Sequence, residues 1–371
     1  MKIGFDAKRL FHNNTGLGNY SRNLISMLLK FAPDETLYLY NPKRKSKFRT
    51  DEIIEKCIEV NPTSFLSKKF KALWRLFWIT NDIEKDKLNI YHGLSGEIPI
   101  GISKKVKTIV TVHDLIFIRY PNLYSFFDRK IHYFKFKYAV KNASLIVAIT
   151  EQTKQDIVEF YTVNPAKIKV IYQGCHAIYK QVFSQKEKDE VVEKYNLPTE
   201  FILNVGTIET RKNIGLVIKA LIGTNIPLVI VGKKTDYFNE LMVIIEKNNL
   251  QNQVVFLSNI TLTELSILYQ TAKIFVYPSI FEGFGIPIIE ALYAQTPVIT
   301  STGSCFAEAG GPESIYVNPN DIPAMRNAII DVWNDPEKRA QMKQIGWKFA
   351  QKFNDDCIAK EWIEVYKSLN S

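Results

Sequence analysis

The stretch Tyr277-Pro-Ser-Ile-Phe-Glu-Gly-Phe-Gly-Ile-Pro-Ile-Ile-Glu-Ala-Leu292 joins a run of β-branched and aromatic residues to an apolar helical pattern. The run predicts a buried strand that ends at Tyr277–Pro278, and Pro287 suits the first turn of the helix that follows. Between them, Gly283 and Gly285 let the backbone turn tightly and approach a ligand. Strand, loop and helix form the repeating unit of a parallel α/β sheet, where ligands bind beyond the carboxyl ends of the strands. We therefore expect a ligand site in this loop.

Two carboxylates flank the loop, Glu282 at its mouth and Glu290 about one turn into the predicted helix. Exposed N–H groups at a helix start, together with the helix dipole, favour a phosphate group. A carboxylate has two acceptor oxygens and can bind two adjacent hydroxyls of a ribose or a hexose. For an isolated pair at this spacing, the favoured interpretation is a helix cap at Glu282 and an ordinary surface position at Glu290. Beside the glycines, the proline and the strand, the pair favours a phosphorylated sugar ligand.

The same alternation of strand and helix runs through the second half of the chain. The predicted strands are Phe201–Val205, Leu228–Val231, Val254–Leu257, Ile274–Tyr277 and Pro297–Thr300. The predicted helices are Asn213–Leu221, Phe238–Lys247, Leu262–Thr271 and Pro287–Ala294. Continuous apolar strands between helices indicate a doubly wound parallel sheet. We assign residues 190–354 to this domain.

The first half predicts another domain of the same class over residues 1–180. Its predicted strands are Lys2–Ala7, Thr108–Val112, Leu145–Ile149 and Lys169–Ile171, and its predicted helices are 19–30, Tyr124–Val140 and Thr153–Tyr161. A loop, His12–Gly18, separates the first strand from the first helix. The polar stretch Cys175–Lys194 interrupts the pattern and is interpreted as a linker. The last helix, within residues 355–371, carries an apolar stripe that must be buried.

Beyond this general pattern, four segments point to one family. The signature Pro-Ser-x-x-Glu-Gly-Phe-Gly-x-Pro-x-x-Glu-Ala is complete at Pro278, Ser279, Glu282, Gly283, Phe284, Gly285, Pro287, Glu290 and Ala291. The segments Val112–Leu115, Ile149–Ile157 and Val205–Asn213 agree in order and spacing. The chain resembles the retaining glycosyltransferases of family 4 (group 1), and its pattern is most similar to bacterial mannosyltransferases of surface-polysaccharide assembly. The resemblance implies the GT-B fold, an α/β architecture of two Rossmann-like domains that face each other across a cleft, with the last helix crossing back to the N-terminal domain.

The resemblance also implies a role for each matching residue. Arg211 and Lys212 would neutralise the donor diphosphate. Glu290 would hold the nucleotide ribose, and Glu282 would hold hydroxyls of the transferred sugar. His113 would lie at the reacting face and orient the sugar through its backbone or side chain. The remaining predicted donor contacts are the backbone groups of Gly206, Gly283, Phe284, Gly285 and Ile286, with Gly16 and Gly18 approaching the diphosphate from the N-terminal domain.

No metal ion or cofactor is expected. Fixed cations and a helix dipole can stabilise the charge that grows on a nucleoside diphosphate leaving group. The sequence contains no Asp-x-Asp motif, and its four cysteines lie far apart without a Cys-x-x-Cys pair. Gly16-Leu17-Gly18 does not continue as a dinucleotide fingerprint, because Ser21 occupies the position of the third glycine. We therefore predict metal-independent transfer, in which the nucleotide sugar is a substrate.

Charge is concentrated in the first half, where residues 1–185 hold 30 Lys and Arg against 16 Asp and Glu. Aromatic and basic residues alternate within Ser64–Ile79 and Asn122–Val140. Such surfaces meet anionic membranes or lipid-linked acceptors, and we favour this interpretation over nucleic-acid binding; core packing with lysines reaching to solvent remains the alternative. The N-terminus lacks a signal peptide and no run suits a spanning helix, so we expect a cytoplasmic protein, with peripheral contact at the inner face of the membrane still open.

The predicted reaction transfers a hexose from a nucleoside diphosphate to a glycan or a lipid-linked glycan. Gly206-Thr-Ile-Glu-Thr-Arg-Lys-Asn213 resembles a run of bacterial mannosyltransferases and makes GDP-mannose the first candidate donor. A UDP-sugar-dependent glucosyl- or N-acetylglucosaminyltransferase and a non-catalytic sugar-nucleotide-binding protein remain alternatives. Gln295 and Cys305-Phe306 depart from the family pattern and leave the identity of the sugar open.

Overall fold

The computed structural model describes residues 1–13, 15–44 and 51–370. It divides into two compact units. The first comprises Met1–Gln173 together with Asn354–Ser371, and the second comprises Gly174–Phe353. Asn14, within the loop predicted at His12–Gly18, lies outside the described residues.

The strands of the described residues belong to these two units in turn. They are β1 (Lys2–Asp6), β2 (Thr36–Tyr40), β3 (Ile58–Val60), β4 (Ile90–Gly93), β5 (Lys107–Val112), β6 (Leu145–Ala148), β7 (Ile168–Val170), β8 (Ile202–Val205), β9 (Leu228–Val231), β10 (Val254–Leu257), β11 (Ile274–Tyr277), β12 (Val298–Ser301) and β13 (Ile315–Val317).

The helices alternate with the strands. They are α1 (Lys8–His12), α2 (Gly16–Phe31), α3 (Asp51–Lys56), α4 (Phe65–Lys69), α5 (Lys71–Leu73), α6 (Ile79–Asp86), α7 (Ile116–Arg119), α8 (Phe126–Asn142), α9 (Glu151–Tyr161), α10 (Gln185–Lys194), α11 (Ile214–Ala220), α12 (Tyr237–Lys247), α13 (Leu262–Thr271), α14 (Ile286–Tyr293), α15 (Phe306–Gly310), α16 (Ile322–Asn334), α17 (Pro336–Ala350) and α18 (Asp355–Asn370). A π-helical segment, Trp74–Trp78, joins α5 to α6. The short 3-10 turns are Ile102–Lys104, Pro121–Leu123, Pro165–Lys167, Ala177–Lys180, Thr210–Lys212 and Gln351–Phe353.

The sheet of the first unit is parallel, with strand order β3-β2-β1-β4-β5-β6-β7 among the described residues. Its inner strands are almost entirely buried, as their unbroken apolar runs require. The strand order reverses direction between β1 and β4, so a crevice opens at their carboxyl ends.

The last helix returns to the first unit, as the family resemblance implies. α18 packs on α2 and β4 and buries Trp362 and Tyr366. His92, at the end of β4, lies within hydrogen-bond distance of the Tyr366 hydroxyl at 2.8 Å and of Thr111 Oγ1 at 2.7 Å. Burial lowers the pKa of His92 to about 3, with a smaller contribution from His113. His92 therefore anchors α18 as a neutral core residue.

The second unit repeats the topology in a smaller parallel sheet, with order β10-β9-β8-β11-β12-β13 among the described residues. Its core combines buried strand residues such as Ile230 and Val276 with Val217 of α11 and Leu241 of α12. The reversal of strand order lies between β8 and β11. The doubly wound prediction is confirmed for both halves, and the segment 277–292 follows the strand at the reversal point.

Two loop predictions are wrong. The stretch Cys175–Lys194 is not a simple linker, because it contains the 3-10 turn Ala177–Lys180 and α10, which packs on α13. A capping box between Ser184 and Glu187 starts α10. Val191 is the buried residue of α10. Because so few apolar residues mark the buried face, the sequence pattern of this segment resembles that of a polar loop.

Helices reach into both ends of the predicted loop His12–Gly18. α1 ends at His12, and α2 begins at Gly16 after the N-cap residue Thr15. A Cβ atom on Gly18 would lie 2.0 Å from the Asn13 carbonyl oxygen. The glycine at this position therefore serves a close approach between chain segments, a contact that local sequence does not reveal.

Candidate functional site

The carboxyl ends of β8 and β11 carry the predicted donor residues of the second unit. After β8, the 3-10 turn Thr210–Lys212 presents two adjacent cations, Arg211 and Lys212. Asn213 ends this turn in the left-handed conformation, at φ 55°, and its side-chain amide donates to the Pro278 and Pro319 carbonyl oxygens. The Ile280 N–H donates to the Arg211 carbonyl oxygen at 2.9 Å. These bonds tie the β8 loop to the β11 loop.

A salt-bridge cluster joins the two loops. Glu282 is 9% exposed, and its Oε2 lies 2.8 Å from an Arg211 guanidinium nitrogen. Its Oε1 accepts a hydrogen bond from Lys212 Nζ at 2.6 Å. Lys212 also donates to the Tyr277 hydroxyl at 2.7 Å, and Arg211 pairs with the more exposed Glu209. The side chains of both predicted diphosphate ligands are therefore held in fixed positions.

The electrostatics of this cluster follow from its pairing. Burial alone would raise the pKa of Glu282, but Lys212 and Arg211 lower it to about 2. Burial alone would lower the pKa values of Arg211 and Lys212, but neighbouring groups, Glu282 among them, raise both values. All three groups are ionised at neutral pH. Arg211, Lys212 and Glu282 together carry one net positive charge, which the more exposed Glu209 offsets through its pair with Arg211. An anionic ligand would compete with these carboxylates for the two cations.

Hydrogen bonds from the side chains of Ser304 and Cys305 fix the backbone of the glycine loop between β11 and α14. Ser304 Oγ accepts from the Glu282 N–H at 3.2 Å and donates to the Glu282 carbonyl oxygen at 3.0 Å. Cys305 Sγ donates to the Phe284 carbonyl oxygen at 2.9 Å. Gly285 is the N-cap of α14 at φ 101°, a conformation in which other residues are strained. The start of α14, from Ile286, thus has a defined position beside Gly283 and the cation pair.

Glu290 lies one turn into α14 in a different environment. The Tyr269 hydroxyl of α13 donates to Glu290 Oε2 at 2.8 Å. Burial raises the pKa of Glu290 to about 7, and the Tyr269 hydrogen bond offsets only part of that effect. Glu290 is therefore poised between its protonated and ionised forms at neutral pH.

The other predicted contacts lie in the first unit. His113 follows β5, and its Nε2 donates to the Leu94 carbonyl oxygen at 2.9 Å, which leaves Nδ1 as the acceptor. Burial lowers the pKa of His113 to about 4, so its imidazole is neutral at physiological pH. The Tyr20 ring of α2 packs edge-on against it, with centroids 4.5 Å apart. Gly16 and Gly18 lie in the first turn of the same α2.

In the second unit, the structure brings together most of the predicted donor residues. Arg211, Lys212 and Glu282 are in direct contact, and the Lys212 side chain passes beside Gly206. Sequence reasoning missed the residues that orient this group, namely Tyr269, Tyr277, Ser304 and Cys305. Tyr277 stands directly before the signature and could have been suspected as a strand-end residue. Tyr269 carries no local signal, because it acts on Glu290 across a helix–helix contact.

Within the described residues, no group of three or more His, Cys, Asp or Glu side chains is arranged to hold a metal ion. Nor do the described helices include one with the length and apolar character needed to cross a bilayer.

Solved structures share this fold over nearly their whole length. A glycosyltransferase from Rickettsia africae superposes with a TM-score of 0.78 at 19% identity and covers 99% of this chain and 98% of its own. Anabaena HepE, crystallised with UDP and glucose, gives 0.76 at 18% identity over 99% of this chain and 100% of its own. WaaG, a glycosyltransferase involved in lipopolysaccharide biosynthesis, gives 0.72 at 15% identity over 99% of both chains. The protein has the fold of the GT-B glycosyltransferases.

Family comparisons give a finer assignment. Residues 185–349 match the family described as glycosyl transferases group 1, and residues 15–177 match glycosyltransferase family 4. The chain belongs to the group 1, family 4 glycosyltransferases.

The curated relatives include bacterial mannosyltransferases. The O-antigen chain mannosyltransferase RfbU of Salmonella typhimurium is 35% identical over 62% of this chain and 61% of its own length. The O-antigen chain mannosyltransferase B of Escherichia coli is 25% identical over the whole of both chains. A serotype-specific mannosyltransferase, WbdA of Escherichia coli, is 26% identical over 71% of this chain, which is 34% of its own length.

Proposed function

We propose that this glycosyltransferase transfers mannose from GDP-mannose, with retention of configuration and without a metal ion, to a glycan or lipid-linked glycan acceptor. The observation that carries the proposal is the pair of half-buried cations, Arg211 and Lys212, which Glu282 holds by salt bridges beside the start of α14. Their positions need little reorganisation as charge grows on the leaving diphosphate, which is the condition for electrostatic catalysis. The mannosyltransferase names of three relatives support mannose as the sugar.

Glu282 has a second part in this proposal. Both of its oxygens are engaged by Arg211 and Lys212. An incoming diphosphate would compete for these cations and release carboxylate oxygens toward the sugar hydroxyls. Glu282 thus keeps the cations in place before the donor binds and contacts the transferred sugar afterwards.

The donor assignment is tested with the purified protein and a panel of GDP-, UDP- and ADP-sugars, with free nucleotide release as the readout. We expect GDP-mannose to be turned over fastest, at a rate unchanged by EDTA, with the α-anomeric configuration kept in the product as seen by NMR. Loss of turnover in EDTA and its return with Mg²⁺ or Mn²⁺ would overturn the metal-free part. Faster turnover of a UDP-sugar would replace GDP-mannose by the UDP-dependent alternative.

The non-catalytic alternative predicts a different outcome. A silent sugar-nucleotide-binding protein would bind the donor and release nucleotide at the same background rate as Glu290→Ala. An enzyme would hydrolyse or transfer the sugar measurably faster than this variant. The two outcomes separate binding from catalysis without knowledge of the acceptor.

We also propose that the first unit rests on an anionic membrane through an aromatic–basic surface. We define this surface by its exposed apolar residues Phe65, Leu66, Phe70, Phe77, Trp78, Ile100, Phe126, Phe127, Ile131 and Phe134 and by the neighbouring Lys68, Lys69, Lys71, Arg129 and Lys130. Phe65 and Phe127 are 78% and 75% exposed. Apolar anchors beside cations are the composition that binds an anionic bilayer surface.

Its two parts flank one loop of the first unit. Glu97 pairs with Arg75 of the π-helical segment at 2.7 Å and with Lys135 of α8 at 3.3 Å. The Ile100 N–H donates to the Leu76 carbonyl oxygen, and the Gly101 N–H donates to the Tyr138 hydroxyl. The core-packing interpretation holds for the rest of these segments, where Trp74, Tyr133, Phe136 and Tyr138 contact the core of the unit.

Liposome flotation tests the membrane proposal. We expect the protein to float with vesicles of phosphatidylglycerol at low salt and not with phosphatidylcholine alone. The variant Phe127→Ser/Ile131→Ser/Phe134→Ser should lose most of this binding. Val243→Ser/Leu262→Ser, which removes exposed apolar side chains from the second unit, should keep it. Equal flotation of both variants, or no flotation of the wild type, would overturn the membrane proposal.

A further inference from the structure

Glu290 is the one signature carboxylate whose partner among the described residues is a neutral side chain. The Tyr269 hydroxyl donates to its Oε2 at 2.8 Å, and Oε1 makes no hydrogen bond within the described part of the chain. A carboxylate held at one oxygen keeps the other with a defined direction. This arrangement can accept one further hydrogen bond with little loss of side-chain entropy.

Tyr269 itself cannot move easily. It is 0% exposed, and its ring packs against Tyr179 and Phe275 with centroids 5.7 and 5.2 Å away. Its backbone carbonyl oxygen accepts a hydrogen bond from Thr296 Oγ1. The hydroxyl therefore lies at a fixed point beneath α14, and the position of Glu290 is set from α13.

We propose that Tyr269 is a positioning residue for the donor: its hydroxyl holds Oε2 of Glu290 so that Oε1 accepts a hydrogen bond from a ribose hydroxyl of the nucleotide sugar. The inference rests on the proposed function and on the ribose-binding role that the family resemblance implies for Glu290. It adds a residue outside the signature and a physical reason for its effect. Tyr269 touches neither substrate nor reacting atoms and acts through Glu290.

The environment couples this contact to a proton. A ribose hydroxyl donates most strongly to the ionised carboxylate. Burial disfavours that form of Glu290, whereas the Tyr269 hydrogen bond favours it. Tyr179 also faces Glu290, and burial raises the pKa of its hydroxyl, so that it stays neutral.

The charged groups on the other elements packed against α14 interact elsewhere. Lys180 of the 3-10 turn Ala177–Lys180 lies over the Tyr293 ring, and the Tyr277 hydroxyl of β11 accepts a hydrogen bond from Lys212. Glu308 of α15 interacts electrostatically with Cys305 and Lys352. Lys343 of α17 interacts electrostatically with Arg339 and Lys188. No cation among the described residues assists the ionisation of Glu290. The hydroxyl of Tyr269 is thus the group that promotes it.

Two consequences follow for donor binding. Binding of the ribose should strengthen as pH rises through the pKa of Glu290, by about tenfold between roughly pH 6 and pH 8, because the ionised fraction changes by that factor. Tyr269→Phe removes the bond that favours ionisation, so the midpoint should move to higher pH. An upward shift of one unit would weaken binding about fivefold near pH 7 and hardly at all near pH 9.

The test measures binding of GDP-mannose by calorimetry across this pH range. GDP-mannose has no phosphate that titrates near neutral pH, so the curve reports the protein. The variants are Tyr269→Phe and a matched control, Tyr293→Phe. Tyr293 is a buried tyrosine of α14 whose hydroxyl donates to the Ala350 carbonyl oxygen instead of to Glu290. We expect the midpoint to shift upward in Tyr269→Phe and to stay in place in Tyr293→Phe.

A second measurement separates positioning from a general loss of packing. GDP and 2′,3′-dideoxy-GDP are compared near pH 7.5, where both carry the same phosphate charge. For a one-unit shift, Tyr269→Phe should weaken binding of GDP about threefold at this pH. Binding of the dideoxy nucleotide should be unchanged, since only the ribose hydroxyls reach Glu290. Equal losses for the two nucleotides would mean that Tyr269 is merely structural and would overturn the proposal.

The outcomes distinguish this inference from the proposed function. If wild type binds GDP-mannose and Tyr269→Phe has the same affinity and midpoint, the inference fails and the proposed function stands. If wild type binds neither GDP-mannose nor UDP-glucose at millimolar concentration, the proposed function fails, and the inference fails with it.

Discussion

Glu282 and Glu290 stand eight residues apart on one loop and helix, the first buried and the second half-buried, and they ionise very differently. Arg211 and Lys212 lower the pKa of Glu282 to about 2 against the effect of burial. Burial raises the pKa of Glu290 to about 7, with one tyrosine hydroxyl as its partner. Burial raises the pKa of both carboxyls, and the result is a permanent anion where cations are present and a titrating acid where they are not.

The difference indicates two tasks within one motif. The Glu282 environment stores positive charge in fixed positions, which suits a diphosphate that gains charge during transfer. The Glu290 environment keeps a carboxylate partly uncharged until a hydroxyl-bearing ligand arrives. The first serves the reacting bond, and the second serves recognition of the nucleoside.

Glu282→Ala should give the largest effect, because it removes the carboxylate that pairs with both Arg211 and Lys212. It leaves two adjacent cations without their shared partner, so the free energy of unfolding should fall by about 3–5 kcal/mol. Urea denaturation measures this. Glu209→Ala removes only the exposed partner of Arg211 and should cost about 1 kcal/mol or less. Equal losses in the two variants would contradict a buried role for Glu282.

Lys212→Met tests whether the stored charge acts on the reaction. It removes a cation but keeps an apolar stem, so we expect kcat to fall about 10²–10³-fold. The readout is steady-state release of nucleotide from GDP-mannose. Lys194→Met, which breaks an exposed pair with Glu264 in the same unit, should retain full activity. A similar fall in both would show that stability, rather than diphosphate binding, is affected.

Glu290→Gln tests the raised pKa of Glu290 and separates its effect on stability from its effect on donor binding. Because the folded pKa lies above the usual value of a glutamate, ionisation costs the folded protein stability as pH rises from about 4.5 to about 7. Glutamine removes that cost and can still accept from Tyr269. The ligand-free variant should therefore be roughly 1–3 kcal/mol more stable than wild type near pH 8, with little difference near pH 4.5.

The same variant should bind donor less well, because a neutral amide accepts a ribose hydrogen bond more weakly than a carboxylate does. We expect the donor KM to rise about tenfold. Thermal denaturation at both pH values and donor kinetics measure the two effects. A variant less stable than wild type near pH 8 would refute the assignment of a raised pKa to Glu290.

Tyr277→Phe should have the smallest effect. Its hydroxyl accepts a hydrogen bond from Lys212, but Glu282 holds the same ammonium group. The loss should be about 1 kcal/mol in stability and a fewfold rise in donor KM, with kcat nearly unchanged. A fall in kcat as large as that of Lys212→Met would show that Tyr277, not Glu282, positions the lysine.

Much of the architecture could be read from local patterns. Unbroken apolar runs predicted β9, β10 and β11 with the observed bounds, and the stripe on the last helix predicted its return to a core. Short or mixed segments were missed, among them β3, β13 and α10. Their few buried residues give too little periodicity to distinguish strand or helix from loop.

The strand–glycine–helix unit at 277–292, the cation pair at 211–212 and the two carboxylates can be recognised from the sequence, because they depend on residue types at close spacing. The partner of each carboxylate cannot, because it depends on the tertiary structure. Arg211 and Lys212 meet Glu282 because β8 lies beside β11, and Tyr269 meets Glu290 because α13 packs on α14. Strand order and helix packing set these distances, and the pKa of each carboxyl follows from the partner that they bring.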